Sequence, residues 1–448
     1  MQNPRQLAFI ALREIHKRGA FTDIALDRVL RDATLKSADR GLVTELVYGS
    51  VRRARSLDAI IDQLGKKKAS QQPPDLRTIL HVGLYQLRYQ DRIPDSAAVN
   101  TTVELAKENG FQGLTGFVNG LLRQYVRLAE NSTEPLNLPE EIVERLGVLY
   151  SFPDWMIKMW IEQLGREETQ QLCEWFNQSP TIDLRVNLLR VSMEEVEAAM
   201  NEVGVEVQRV PQIPQALRVT GGIGTIQQLP GFDQGWWSIQ DSSAGLVSHL
   251  LDPQAGEVVI DTCAAPGGKT THIAELMEDE GIIWACDRAA SRLKKVQENA
   301  QRLQLKSIQI CAGDSRNLPQ FTASADRVLL DAPCSGLGTL HKRPDIRWRS
   351  TPETVQELSV LQGELLAQAA TWVKPGGILV YATCTVHPQE NEGVIQGFLE
   401  RHPHWLIEPP SFNSSLATFA SPQGWIKVWP HRHYMDGFFM VRLKQAVL

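Results

Sequence analysis

The feature that most constrains the fold is a regular alternation of apolar runs, Gly-containing turns and helical patterns that begins near Ser238. Each apolar run has the length of a strand, and the runs lie at 258–261, 281–286, 308–312, 327–330, 378–381 and 438–443. Helical stretches such as 288–303 and 352–373 separate them. Strands that alternate with helices form mostly parallel sheets. We therefore predict an α/β doubly wound (Rossmann-like) domain over residues 238–448, with its ligand at the carboxyl ends of the strands.

The N-terminal part of the chain has a different pattern. Apolar residues recur at helical spacing throughout residues 1–130, which predicts an all-α domain. The polar stretch 131–145 contains two prolines and is interpreted as a linker. Residues 146–237 combine strand-like runs with a capping box formed by Ser192 and Glu195, which indicates a small α+β module. A length of 448 residues suits such a multidomain organisation.

Charge and cysteine usage narrow the class of protein. The net charge is −6, but residues 1–70 are locally basic, with 14 Lys and Arg against 8 Asp and Glu. Basic clusters lie at 52–55 and 66–68. They could bind RNA phosphates or simply be solvent-exposed faces of helices. Charge breaks every apolar run before about 18 residues, so we expect no membrane span and a cytoplasmic protein. The six cysteines form no CxxC pair and no zinc spacing, so we expect free thiols and no metal.

A cofactor site is predicted where the first strand of the C-terminal domain enters a tight turn and a helix. Gly267 and Gly268 let the backbone approach a ligand closely and direct helix amides towards it. A phosphate loop requires glycine where this chain has Cys263, which excludes that alternative. Acids that follow the next strands are placed to bind a nucleoside, and they suit either NAD or S-adenosylmethionine. These acids are Asp287 and Asp314.

Two cysteines and a carboxylate are predicted to share the catalytic edge of the sheet. Asp331 and Cys334 follow one strand, and Cys384 follows the next. Methylation of carbon 5 of a pyrimidine needs a thiolate that adds to carbon 6, an acid near the ring and a base that removes the carbon 5 proton. These three side chains can fill the roles, although the residues alone leave open which cysteine attacks. Lys269 or a helix N-terminus is a candidate for favouring the thiolate.

Taken in order, these motifs resemble those of the RNA cytosine-5 methyltransferases of the NOL/NOP2/Sun family. The resemblance covers roughly residues 140–448. It implies that Cys384 is the nucleophile and that Cys334 helps to release the product. It also implies that S-adenosylmethionine and the base are surrounded by Cys263, Ala264, Ala265, Pro266, Gly267, Gly268, Lys269, Asp287, Asp314 and Asp331. Glu390-Asn391 and Asp436-Gly437-Phe438-Phe439 also look like this family.

The first 128 residues look like a NusB-type RNA-binding domain, and 180–189 resembles the small RNA-recognition-like module of the family. This combination is similar to the bacterial Sun-type enzymes, which implies that the substrate is cytosine 967 of 16S rRNA, or a small-subunit ribosomal precursor. No obligate protein partner is implied. The basic stretch 341–349 follows Cys334, and we expect Arg343 and Arg347 to grip RNA phosphates beside the flipped base.

Other functions remain as alternatives. A methyltransferase for a small molecule or a protein does not need the helical RNA-binding domain. A non-catalytic RNA-binding assembly factor does not need both cysteines and the glycine turn, and all of them are present. A DNA cytosine-5 methyltransferase would attack with Cys334 and leaves Cys384 unexplained. Another rRNA or tRNA target of the same family stays open.

Overall fold

The computed structural model describes residues 3–222, 226–411 and 414–446. The chain forms two compact units, of which the first comprises Met1–Gln178 with Leu340–Arg349 and the second comprises Ser179–Thr339 with Ser350–Leu448. Across the described ranges, no helix is both long and apolar enough to cross a membrane.

The helices and strands follow the order expected from the sequence. The helices are α1 (Pro4–Arg18), α2 (Thr22–Leu30), α3 (Ser37–Arg52), α4 (Ala54–Leu64), α5 (Pro74–Tyr89), α6 (Asp95–Glu108), α7 (Thr115–Asn131), α8 (Ile142–Tyr150), α9 (Asp154–Leu164), α10 (Arg166–Phe176), α11 (Met193–Glu202), α12 (Ser242–Leu251), α13 (Gly268–Leu276), α14 (Ala290–Leu303), α15 (Ile346–Arg349), α16 (Pro352–Ala370), α17 (Glu392–Arg401) and α18 (Pro430–His433). The strands are β1 (Ile182–Val186), β2 (Glu206–Arg209), β3 (Ala216–Gly221), β4 (Trp237–Ile239), β5 (Val258–Asp261), β6 (Ile282–Asp287), β7 (Ile308–Ala312), β8 (Ala325–Asp331), β9 (Val373–Thr383), β10 (Trp405–Ile407), β11 (Ile426–Val428) and β12 (Phe438–Gln445).

The first unit is a helical bundle around one apolar core. The regular apolar spacing of its helices places Phe9, Leu46 and Leu80 at the centre, all fully buried. The expected linker differs from the structure, because Leu136 is buried in this core and Ile142 begins α8. Helices α8–α10 belong to this unit, whereas the sequence placed residues 146–178 in the small module. The limits of the domains at 130, 145 and 237 remain predictions.

The basic stretch 341–349 is built into the helical unit, and this corrects the expectation for Arg347. Its side chain is fully buried, and its guanidinium lies 3.9 Å from the centre of the Phe152 ring. The guanidinium donates hydrogen bonds of 2.8–3.2 Å to the carbonyls of Arg52, Ser151 and Phe176 and to the Asn177 side chain.

These acceptors lie at the C-terminal ends of α3, α8 and α10, where helix carbonyls are unsatisfied and the helix dipole favours a cation. Arg347 therefore caps three helices and does not contact RNA phosphates. Arg343, in contrast, is exposed.

The second unit begins with the small α+β module. Its sheet has the order β2-β3-β1-β4, and α11 starts with the expected capping box between Ser192 and Glu195. Leu184, Val186 and Trp237 fill its core. The small α+β module predicted from the sequence is thus confirmed, and Trp237 is one of its core residues.

The large sheet confirms the doubly wound prediction. Its order is β10-β12-β9-β8-β5-β6-β7, with β11 paired to β12. Strands β5 to β9 pair in parallel, and β12 runs antiparallel to β9. One apolar cluster joins the sheet to α12 and α13, and another joins it to α16 and α17. The strand order reverses between β5 and β8, and a doubly wound sheet binds its ligand in the crevice at this point.

Candidate active site

The turn after β5 is shaped for a close ligand. Gly267 has φ +106°, and a Cβ atom there would lie 3.0 Å from the Cα of Val296, so only glycine fits. Helix α13 begins at the next residue and points its first amides towards the carboxyl edge of the sheet. The side chain of Asp261, at the end of β5, accepts a 2.7 Å hydrogen bond from Thr270. Burial raises the pKa of Asp261 to about 7.

Three further acids follow strand ends, as the sequence predicts. Asp287 ends β6, is almost fully buried and accepts a 2.8 Å hydrogen bond from the Ala289 amide. Asp314 lies 2.8 Å from Arg316, whose hydrogen bonds lower the pKa of Asp314 to about 2. Asp331 ends β8.

These residues fit S-adenosylmethionine. The Asp287 carboxylate at the end of β6 suits ribose hydroxyls, and the amides at the start of α13 suit a carboxylate. Within the described residues, Thr262 Oγ1 and Asp261 Oδ1 are buried polar atoms without a hydrogen-bond partner. The predicted set from Cys263 to Lys269 forms the turn between β5 and α13, where Cys263 is partly buried and Ala264 and Ala265 are buried.

The two predicted catalytic cysteines meet. The Cys334 and Cys384 sulfur atoms lie 3.3 Å apart, so the thiols are in hydrogen-bond contact. This hydrogen bond, together with burial and the nearby Glu390, raises the pKa of Cys334 well above its usual value. Cys334 is therefore a protonated thiol at neutral pH.

A lysine supplies positive charge next to the thiols. Lys269 Nζ lies 2.6 Å from Asp331 Oδ2 and 4.9 Å from the centre of the Phe438 ring. Burial acts to lower the pKa of Lys269, but the negative charges of Asp331 and Cys384 outweigh it and the pKa is raised. Lys269 thus stays charged, and a cation beside a thiol favours the nucleophilic thiolate.

A buried network holds the loops that carry the two cysteines. Glu390 accepts a 2.8 Å hydrogen bond from the Ser335 amide and a 3.0 Å hydrogen bond from Gln362. Asn391 accepts from Thr383, at 2.6 Å, and donates to the carbonyl of Thr385, at 3.0 Å. Glu390 and Asn391 therefore position the neighbours of both cysteines. In the sequence, the only signal for these two residues was their resemblance to a family motif.

Two glycines bring a distant loop to the same place. The Gly437 amide donates a 2.8 Å hydrogen bond to the Gly338 carbonyl, and the Gly338 amide donates to the Cys384 carbonyl at 3.0 Å. A Cβ atom at Gly338 would lie 2.0 Å from the Gly437 carbonyl oxygen. This backbone contact therefore requires glycine at position 338.

Arg185, from β1 of the small module, is a residue that sequence reasoning missed. Its side chain is 4% exposed and forms a bidentate ion pair with Glu275 of α13, with N–O distances of 2.7 and 2.9 Å. It also donates to the Gly268 carbonyl at 2.7 Å and to the Gln240 side chain at 2.6 Å. The small module thereby fixes the first turn of the helix that follows the cofactor loop.

We expect Arg185→Met to cost about 3–5 kcal/mol of unfolding free energy, because it leaves Glu275 buried without its charge partner. The KM for S-adenosylmethionine is expected to rise about tenfold as the start of α13 loosens, by roughly 1.4 kcal/mol of binding free energy. Urea unfolding and initial rates measure the two effects. Arg209→Met is the matched control, since Arg209 is half exposed in surface ion pairs of the same module. An unchanged KM would refute the positioning role.

Comparisons with known proteins agree with this architecture. Family models match residues 2–127 (NusB family), 152–225 (Methyltr_RsmF/B-like, ferredoxin-like domain) and 248–444 (16S rRNA methyltransferase RsmB/F). A Synechocystis protein named "Probable ribosomal RNA small subunit methyltransferase B" is 49% identical, with 100% of both chains covered.

Solved structures resemble the chain as well. The crystal structure titled PH0851 has a TM-score of 0.81 at 29% identity and covers 99% of each chain. A methyltransferase homolog protein from Pyrococcus horikoshii has a TM-score of 0.60 at 28% identity, and the match covers 69% of this chain and 100% of that one.

Proposed function

Because the chain belongs to the 16S rRNA methyltransferase RsmB/F family and carries its NusB domain, we propose that it transfers a methyl group from S-adenosylmethionine to carbon 5 of a cytosine in 16S rRNA. We propose cytosine 967 as the target. The observation that carries the proposal is the pair of thiols, Cys334 and Cys384, 3.3 Å apart beside the Lys269–Asp331 ion pair. The substrate is the free RNA or a small-subunit precursor in the cytoplasm.

In the proposed mechanism Cys384 is the nucleophile. Its thiolate adds to carbon 6 of the flipped cytosine, and the electron pair moves towards carbon 5 and the ring nitrogen N3, where Asp331 holds or donates a proton. S-adenosylmethionine supplies the methyl group to carbon 5. A base then takes the carbon 5 proton, the electron pair of that bond re-forms the double bond between carbons 5 and 6, and the bond between carbon 6 and sulfur breaks. The N3 proton returns to Asp331, and Cys384 leaves as a thiolate. Cys334 lies within contact of the departing sulfur and assists this release.

Each predicted cofactor residue has a role in this proposal. The turn from Cys263 to Lys269 holds the methionine part, Asp287 accepts hydrogen bonds from the ribose, and Asp314 lies beside the adenine end. Arg343 is proposed to meet an RNA phosphate, since it is exposed and follows the Cys334 loop in the chain. A non-catalytic assembly factor is the weaker alternative, because it does not need two thiols in contact.

The test uses unmodified 16S rRNA, S-adenosylmethionine and the purified protein. Bisulfite sequencing of the product is expected to show one protected cytosine, at position 967, and Cys384→Ala protein is expected to protect none. Protection at another cytosine would keep the enzyme class and reject the target. No protection of free RNA or of the small subunit would reject methyl transfer to rRNA.

A further inference from the structure

A cavity of about 490 Å³ opens in the helical unit, and its lining includes no residue of the second unit, which carries the two cysteines. Its size falls in the range of roughly 300–1,000 Å³ found for small-ligand sites. Its lining combines an aromatic ring with charged groups, which include Trp348, Arg55, Arg77, Arg349, Asp58 and Asp345. Part of this lining comes from the segment 340–349, which continues the chain from the Cys334 loop.

Trp348 presents a fixed aromatic surface to this cavity. Its side chain is 38% exposed, although a tryptophan is normally well buried. The indole Nε1 donates a 2.8 Å hydrogen bond to the Val51 carbonyl near the end of α3. Because the polar atom is already bonded to protein, the exposed part of the side chain offers an apolar ring for stacking.

The charged groups around the ring are also held in place. The Nε–H group of Arg77 donates a 2.7 Å hydrogen bond to Asp58, and the Nη1–H group of Arg55 donates a 2.6 Å hydrogen bond to the Phe152 carbonyl. Arg349 donates to the Gly19 carbonyl at 3.0 Å. Each guanidinium has a further partner, since Arg77 also bonds the second Asp58 oxygen, Arg55 also bonds Asp154 at 2.6 Å and Arg349 lies 3.2 Å from Asp345. Because a guanidinium has five N–H donors, each still has N–H groups for a ligand.

The balance of charge in the cavity is positive. Arg77 is paired with Asp58, and Arg349 is paired with Asp345. The third guanidinium, Arg55, is paired with Asp154, which does not line the cavity, so the lining itself carries one more positive than negative charge. His16 adds no charge at pH 7, because burial lowers its pKa to about 4. A ligand with an aromatic ring and a negative charge suits this combination.

We propose that this cavity binds an unpaired nucleotide of the RNA substrate, with its base stacked on Trp348 and its phosphate beside Arg55 and Arg77. Single-stranded RNA is recognised in this way, by stacking on aromatic rings and by phosphate contacts to arginine. The inference rests on the proposed function, because the nucleotide belongs to the RNA that is methylated. It gives the helical unit a definite contact with the substrate.

The test compares Trp348→Ala and Trp348→Phe in RNA binding and in steady-state methylation. Stacking is worth roughly 1–3 kcal/mol per base, so Trp348→Ala is expected to raise the Kd and the KM for 16S rRNA about tenfold. Trp348→Phe keeps a ring and is expected to stay within about threefold of the wild type. The kcat at saturating RNA and the KM for S-adenosylmethionine are expected to remain unchanged. Thermal melting checks that both variants are folded.

The salt dependence of the Kd for RNA distinguishes the contribution of the Trp348 ring from that of the arginines. Removing one phosphate contact lowers the slope of log Kd against log salt by about one. Arg77→Gln is expected to have this effect and Trp348→Ala is not, because stacking releases no counterions. Arg31→Gln, at an exposed position on α2 of the same unit, is the control and should leave the slope unchanged.

The outcomes distinguish this inference from the proposed function. If the wild type methylates 16S rRNA and Trp348→Ala has the same Kd and KM for RNA, the nucleotide site is overturned and the function stands. If the alanine and phenylalanine variants lose affinity equally while both stay folded, stacking is overturned. If the wild type methylates no RNA, the proposed function itself fails.

Discussion

Cys384→Ala protein is expected to lose methyl transfer altogether, whereas Cys334→Ala protein is expected to accumulate covalently bound to its RNA. Removal of a catalytic nucleophile costs on the order of 10⁴-fold or more in kcat. Removal of a residue that acts only in release leaves addition and methyl transfer intact, so the adduct persists. The two variants therefore differ in kind, although the two sulfur atoms are only 3.3 Å apart.

The asymmetry has a physical basis in the site. Lys269 stays charged and interacts with Cys384, which favours its thiolate. Cys334 has a pKa well above its usual value, because it shares a hydrogen bond with Cys384 and lies near Glu390. The lysine cation thus favours the thiolate of Cys384, whereas Cys334 keeps its proton at neutral pH. This is the division of labour expected of a nucleophile and a release group.

Denaturing gels of each variant, incubated with 16S rRNA and S-adenosylmethionine, measure the adduct. Cys173→Ala is the control, since Cys173 is buried in α10 of the helical unit. An adduct formed by Cys384→Ala but not by Cys334→Ala would assign the attack to Cys334. If neither variant gave an adduct and both transferred the methyl group, the covalent mechanism would be wrong.

The sequence predicted the positions of candidate residues that follow the ends of strands. Asp287 and Asp331 each end a strand of the parallel sheet, so a local pattern was enough to place them on one edge. The same reasoning brought Cys334 and Cys384 to that edge. The sequence could not predict the distance between the two sulfur atoms, because that distance depends on the hydrogen bonds of Glu390, which hold the loops that carry the cysteines.

Prediction failed where burial depends on distant segments. A basic run such as 341–349 looks solvated in sequence, and nothing local shows that Arg347 caps α3, α8 and α10. Arg185 alternates with apolar neighbours as a strand residue does, but its inward role depends on Glu275. Leu136 lay in a polar, proline-containing stretch, yet it packs into the helical core. In each case tertiary contacts override the local pattern.

The ion pair between Lys269 and Asp331 is the second place where a large loss of activity is expected. Asp331→Asn removes the acid near the base while it keeps the size of the side chain. Because a general acid contributes about 10²–10⁴-fold, the single-turnover rate should fall by about 10³-fold. The Kd for 16S rRNA should change little, since other residues, Arg343 among them, are proposed to contact the RNA phosphates. Asp326→Asn is the matched control, because Asp326 forms a 2.7 Å ion pair with Lys374 near the start of the same strand.

Lys269→Met tests the other partner through the pH dependence of the rate. Without the lysine cation the attacking thiol ionises less readily, so the rising limb of the single-turnover rate against pH should move to higher pH. The wild type, in which Lys269 keeps its charge because its pKa is raised, should show the limb at lower pH. A fall in rate with no movement of the limb would mean that Lys269 only orients Asp331. Full activity in Asp331→Asn would instead mean that the carboxylate takes no part in the chemistry, although it lies 2.6 Å from Lys269.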